Sequence, residues 1–128
     1  MCIRDSASTQ TTLPPPVDLE RLFLAMGDEP EELSEILGIY LSQMTESLEK
    51  MEAAIKERNA VEVDLIAHNC AGVSANCGIV GIVLPLRELE RMGRENQLAA
   101  AAMVSAQVRR EFEKVKEFLQ ENLEQVTV

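Results

Sequence analysis

The sequence has no tryptophan, one tyrosine, three phenylalanines and a single histidine in 128 residues. With aromatics at 3%, the core has to be aliphatic, filled by Leu, Ile, Val, Met and Ala. That palette, with only six glycines, favours helix over sheet. Three cysteines make an odd count without framework spacing, which excludes a disulfide scaffold. Cys70 and Cys77, two helical turns apart, read as reduced thiols serving as small hydrophobes. No apolar run approaches the roughly 20 residues that span a bilayer, and the first 16 residues lack the apolar centre of a secretory signal. Cations are scarce too: 12 Lys and Arg against 22 Asp and Glu give a net charge of −10. Such a surface repels phosphate backbones and anionic lipids, so neither nucleic acid nor a membrane is expected as a partner, and a soluble monomer is.

Catalytic and metal inventories are equally thin. One His and two Cys that point different ways do not make a zinc site, and six methionines at helical spacing belong to a core. A glycine-rich phosphate loop is absent. A Cys–His pair needs the nucleophile beside the base, and Cys70, two residues on from the histidine, faces elsewhere. No metal and no cofactor are expected.

What is present is helical periodicity in a chain of single-domain length. Residues 1–16 are polar and end "LPPP"; they read as a disordered leader, whose first six, "MCIRDS", resemble translated adapter sequence and are set aside. Asp18 caps a short helix, "DLERLFLAM", which Gly27 ends. A long second helix is expected with Asp28 as its cap, Pro30 in its first turn and a stripe of Leu33, Ile36, Leu37, Tyr40, Leu41, Met44, Leu48, Met51 and Ile55. Glu32, Glu35, Glu46, Glu49 and Glu52 form its solvated side. Asn59 is placed as the cap of the third helix. A fourth, "LPLRELERM", ends near Gly93, and "GRENQ" is a turn. The fifth runs from about Leu98 to Asn122 with Val104, Val108, Phe112, Val115 and Leu119 on one face. Amphipathic helices joined by short turns make an all-α bundle over residues 17–124, with 125–128 as a tail.

The lone histidine, His68, lies in the third helix within "DLIAHNCAGVSANCGIV". Each residue advances about 100°, so Val63, Ile66, Cys70, Val73 and Cys77 cluster as the expected core stripe, with His68 about 160° from its centre. A core histidine should share that stripe, and His68 does not. It is either a casual surface residue or a group presented to a partner. Its own face carries Asp64, Ala71, Gly72 and Ala75 rather than the usual long charged side chains. A mid-helix glycine costs about 1 kcal/mol relative to alanine. Small neighbours leave the imidazole standing proud.

"AHNCAGVSANCGIVGI", from Ala67 to Ile82, resembles the signature of histidine phosphotransfer (HPt) domains, A-H-x-L-K-G-S-x-x-x-x-G-A-x-x-L. His68 matches the phosphorylated histidine, Gly72 the glycine four residues later, Gly78 the glycine ten later and Ile82 the following aliphatic. "VDLERLFLAMGDEPEELSEILGIYL" is similar to the first two helices of that family and "LRELERMGRENQLAAA" to its fourth helix and turn. The resemblance covers residues 17–124. It implies an antiparallel four-helix bundle with a short additional N-terminal helix, in a cytoplasmic phosphoryl carrier with no independent catalytic centre. His68 would take a phosphoryl group from a receiver-domain aspartate, often within a hybrid sensor histidine kinase, and pass it to the aspartate of a response-regulator receiver. The receiver would supply the metal ion and most catalytic groups. Docking is expected to centre on His68 with Asp64, Ala71, Gly72 and Ala75 at the contact, over a small interface, and Gly78 is expected as a structural element of the motif.

The sequence departs from the signature at two positions. Ala71 stands where the family has lysine, and Cys70 replaces the leucine before it. Arg87 or Arg91 is a candidate for the missing positive charge. Asp64, one turn before His68, is a candidate to hold the imidazole by hydrogen bond. Pro85 should kink the fourth helix or move its start to about Leu84. Two further readings stand beside phosphotransfer: an HPt-like interaction module that binds a receiver or kinase without taking phosphate, and an unrelated dimerising bundle.

Overall fold

The protein, seen in a computed structural model, is described over residues 15–123. Five helices follow in order: α1 (Leu19–Met26), α2 (Pro30–Lys56), α3 (Ala60–Asn76), α4 (Val83–Arg94) and α5 (Ala101–Asn122), with a single 3₁₀ turn, Val80–Ile82, leading into α4. Among the described residues there is no strand. Helices α2 to α5 form a ring in which each packs on the next and α5 returns to α2, while α1 rests on α2. The short connections make successive helices antiparallel. This is the all-α bundle that the residue pattern predicts, in the antiparallel four-helix arrangement with an added N-terminal helix that the resemblance implies. The expectations for residues 1–14 and for the tail 125–128 lie outside the described residues. Pro16, counted with the leader, is tied down: its carbonyl accepts from Gly81 N at 2.9 Å.

Local chemistry explains most boundaries. The Asp18 carboxylate accepts from Arg21 N at 3.2 Å, and the Asn59 side chain accepts from Glu62 N at 3.2 Å, satisfying N–H groups that the first helical turn leaves unpaired. At α2 the expected cap is displaced by one residue. Pro30 is the first helical residue and restricts the one before it to extended backbone, so Glu29, at φ −71° and ψ 119°, takes the cap position without a side-chain bond; Asp28 lies outside. Helices α2, α3 and α4 end in the same way. Asn59 N reaches Ala54 O, Ile79 N reaches Ser74 O and Gln97 N reaches Met92 O, at 2.8–2.9 Å, the six-residue closure of a left-handed C-terminal turn. Pro85 sits in the first turn of α4, which starts at Val83, close to the shifted start expected of it. Helix α5 begins three residues later than expected, at Ala101.

The core is aliphatic, with Leu22, Leu37, Leu48, Met51, Ile79, Ile82, Leu86, Leu89 and Leu119 fully buried around one phenyl ring, Phe112. Of the stripe expected on α2, Ile36 is exposed and Ile55 only half-buried, while the other seven are buried. Cys70 and Cys77 are free thiols, and burial pushes both away from the reactive thiolate form. Tyr40 is buried with its hydroxyl 2.7 Å from Ser74 Oγ, and that burial raises the phenol well above its ordinary range. Across the bundle Arg109 grips the Glu52 carboxylate with both ends of its guanidinium, at 2.7 and 3.1 Å.

Helix α3 corrects the sequence reading. Its buried residues are Val63, Ala67, Cys70, Ala71 and Ser74, whereas Val73 is exposed and Ile66 and Cys77 are half-buried. The buried arc is rotated by about 60° from the expected stripe, toward the His68 side. Helix α4 causes the rotation, because it packs so closely that only small side chains fit between. At Gly93 an added Cβ would stand 2.5 Å from Asp64 N and 2.7 Å from Ala60 O. Gly78 has a second kind of close approach. It adopts φ +78°, its carbonyl accepts from Asp18 N at 2.7 Å, and a Cβ there would meet Asp18 O at 2.7 Å. The glycine is where α1 seats on the end of α3.

Candidate functional site

His68 stands on the outer face of α3 with 63% of its side chain exposed. Gly72 and Ala75 share its face and are half-buried. A Cβ on Gly72 would meet nothing within 4 Å, so open space lies beside the imidazole. Two apolar side chains that the sequence reading passed over, Val61 and Leu65, are 70% and 53% exposed and lie within about 60° of His68 on the same helix. A bare, partly apolar surface therefore borders the ring along α3.

The structure separates Ala71 from that surface. It is fully buried, on the side of α3 covered by α4, and cannot touch a docked protein. Helical spacing alone groups it with His68, because hydropathy gives no hint that the alanine side of α3 is the packed side. Asp64 is half-buried, its backbone pressed against Gly93, and it does not bond to the ring. The carboxylate that does is Glu90 of α4. His68 Nδ1 lies 2.8 Å from Glu90 Oε2.

Glu90 is the centre of a small cluster. Its side chain is only 10% exposed. Arg87 donates from Nη1 to Oε1 at 2.8 Å, and Arg94 Nη2 stands 3.3 Å from Oε2, the oxygen that meets the imidazole. The Arg87 guanidinium, and after it His68, hold this carboxyl below the ordinary carboxylate range. A carboxylate can only accept, so the ring nitrogen facing it carries the hydrogen. In the neutral imidazole that fixes the lone pair on Nε2, the nitrogen away from Glu90. Residues 87, 90 and 94 share one face of α4 at helical spacing, which is why three side chains reach one point. Of the two arginines the sequence proposed, Arg87 joins the cluster. Arg91 does not: it is held on the solvent side by Glu88 and Glu95. Arg94 and Glu90 were not foreseen.

The arrangement thus offers one exposed imidazole, a buried anion behind the ring, and two guanidinium groups at its flank. Among the described residues no three His, Cys, Asp or Glu side chains converge to hold a metal ion, and no helix is long and apolar enough to cross a membrane.

Comparison with known proteins gives a consistent result. The family model for the Hpt domain matches residues 35–126. The crystal structure of histidine-containing phosphotransfer protein B from Pseudomonas aeruginosa PAO1 superposes with a TM-score of 0.79 at 25% identity, covering 88% of this chain and 98% of that one. No curated protein matches the sequence.

Proposed function

The chain belongs to the Hpt domain family, and from that premise we propose that it relays a phosphoryl group between receiver-domain aspartates of a two-component system through Nε2 of His68. The observation that carries the reading is the His68–Glu90 bond, which in the neutral ring puts the hydrogen on Nδ1 and the lone pair on Nε2, in a side chain that is 63% exposed. In the forward step the Nε2 lone pair attacks the phosphorus of a receiver's aspartyl phosphate in line. The N–P bond forms, the P–O bond to the aspartate breaks, and the carboxylate leaves with the electron pair. The ring keeps its Nδ1 hydrogen and becomes positively charged, a charge that the Glu90 carboxylate opposes at 2.8 Å. Transfer to a second receiver reverses these bonds.

Phosphoryl transfer depends mainly on positioning and on charges set around the moving group. The family signature has a lysine for this at position 71, where this chain has the buried Ala71. Arg94 takes that duty here. It is already paired to the oxygen that holds the ring, and its side chain is 62% exposed, free to swing toward phosphoryl oxygens. Docking centres on His68, Gly72 and Ala75, with the exposed Val61 and Leu65 as apolar contacts. Partners are a response-regulator receiver and a hybrid sensor histidine kinase in the cytoplasm. All groups of the cluster come from one chain, so a monomer suffices, and the protein acts as a carrier without a catalytic centre of its own.

The test is incubation with phosphorylated receivers. Base-stable, acid-labile phosphate should appear on the wild type and not on His68→Ala. Receiver binding that survives His68→Ala, with no label on the wild type under any phosphorylated receiver, would instead establish a binding module.

A further inference from the structure

We infer that Gly93 is a positioning residue for phosphoryl transfer: it sets the α3–α4 separation on which the His68–Glu90 bond depends. The inference rests on the function proposed above, but its geometry stands alone. Gly93 lies one turn from Glu90 on α4, and its missing side chain faces the backbone of α3 one turn before His68. A Cβ there would stand 2.5 Å from Asp64 N, 2.7 Å from Ala60 O and 2.9 Å from Asp64 Cα. All three are main-chain atoms of a helix, so none can rotate away. Real Cβ contacts essentially never fall below 3.0 Å. Relief therefore requires α4 to move off α3 by at least about 0.5 Å at this point, and nearer 1 Å for ordinary contact.

Only a small tolerance is available. The His68 Nδ1 to Glu90 Oε2 distance is 2.8 Å, and such bonds weaken beyond about 3.2 Å. A shift of 0.5–1 Å would take this one to about 3.3–3.8 Å, past that limit. Arg94, next to Gly93 and bound to the same oxygen at 3.3 Å, would be carried away with it. By contrast Gly38 on α2 faces open space, with nothing within 4 Å of a Cβ.

The experiment follows the imidazole of His68 by nitrogen NMR and measures its phosphorylation by phosphoramidate, which transfers its phosphoryl group to a histidine nitrogen and releases ammonia. Gly93→Ala should retain helical structure, lose the Nδ1–H tautomer signature, and slow labelling roughly tenfold, the effect expected of Glu90→Ala. The double variant should be no slower than Glu90→Ala alone, because a residue acting through Glu90 has nothing left to act on. Gly38→Ala should match the wild type in both measurements. An unchanged tautomer signature in Gly93→Ala, or losses that multiply in the double variant, overturns the inference. If Gly93→Ala does not fold, Glu90→Asp tests the same tolerance with the helix contact untouched, since it withdraws the carboxylate by one methylene. Loss of the signature is then expected, and its retention overturns the inference. If the wild type takes no label, phosphotransfer fails as the function while the tautomer signature still decides whether Gly93 positions the ring.

Discussion

Removing the Glu90 carboxylate perturbs His68 without touching it. In Glu90→Ala, Arg87 and Arg94 lose their shared partner and the imidazole loses the acceptor that fixes its tautomer. A hydrogen bond to a charged group contributes about 1.5–3 kcal/mol. With 63% of the His68 side chain exposed, water competes for Nδ1, so the lower end of that range applies. Since about 1.4 kcal/mol corresponds to one decade, the ratio of rings with a free Nε2 lone pair to those with a free Nδ1 lone pair should fall about tenfold. The charge that opposes the growing positive ring disappears as well, and this adds to the loss in rate. Labelling by phosphoramidate at neutral pH should therefore slow by about one decade in Glu90→Ala. Glu90→Gln, whose amide oxygen still accepts but carries no charge, should fall between, because a neutral hydrogen bond contributes about 0.5–1.5 kcal/mol. His68→Ala sets the zero of the assay and circular dichroism checks the fold. A Glu90→Ala protein that labels within twofold of the wild type would refute the assignment of the ring's orientation to Glu90.

Ala71→Lys restores the residue expected at that position, yet Ala71 is fully buried. The substitution should lower stability by about 1–3 kcal/mol through overpacking against α4 and should not lengthen the life of a phosphohistidine, which thermal unfolding and label decay would show together. Gly78→Ala should cost about 2–4 kcal/mol, because a side chain is strained at φ +78° and collides with the carbonyl of Asp18; a denaturant titration measures it. Tyr40→Phe removes a phenol that burial holds protonated above its usual value of 10.0. A raised folded pKa contributes stability that is complete below the unfolded value and is lost as pH rises above it. Wild type should thus lose stability above about pH 10 in excess of Tyr40→Phe, whereas at neutral pH the variant should be the weaker by about 1 kcal/mol for the bond to Ser74.

Much of the fold was legible because helix boundaries are written in local chemistry. Asp18, Gly27 and Asn59 act within a few residues of themselves, and the strict spacing from Leu33 to Met51 admits one structure. The outward direction of His68 was legible for the same reason. The inner face of α3 was not. Ala67, Ala71 and Ser74 are buried because α4 comes close, and small residues that permit a close approach carry no hydropathic signal. Glu90 was hidden in a different way. It is one of 22 acidic residues, it lies 22 positions from His68, and only the packing of α4 across α3 distinguishes it from the solvated glutamates beside it. The pattern Arg87, Glu90, Arg94 around Gly93 was available in the sequence, but its meaning required knowing which helix it faced.

Two main-chain bonds, Asp18 N to Gly78 O and Gly81 N to Pro16 O, moor the incoming chain at the far end of α3. His68 lies eight residues back from the last residue of that helix, about 12 Å along its axis. A receiver grafted ahead of residue 15 would thus be leashed beside the imidazole rather than on top of it. A flexible tether long enough to cover that rise and the step around the helix would give millimolar local concentration and turn a fleeting encounter into an intramolecular exchange.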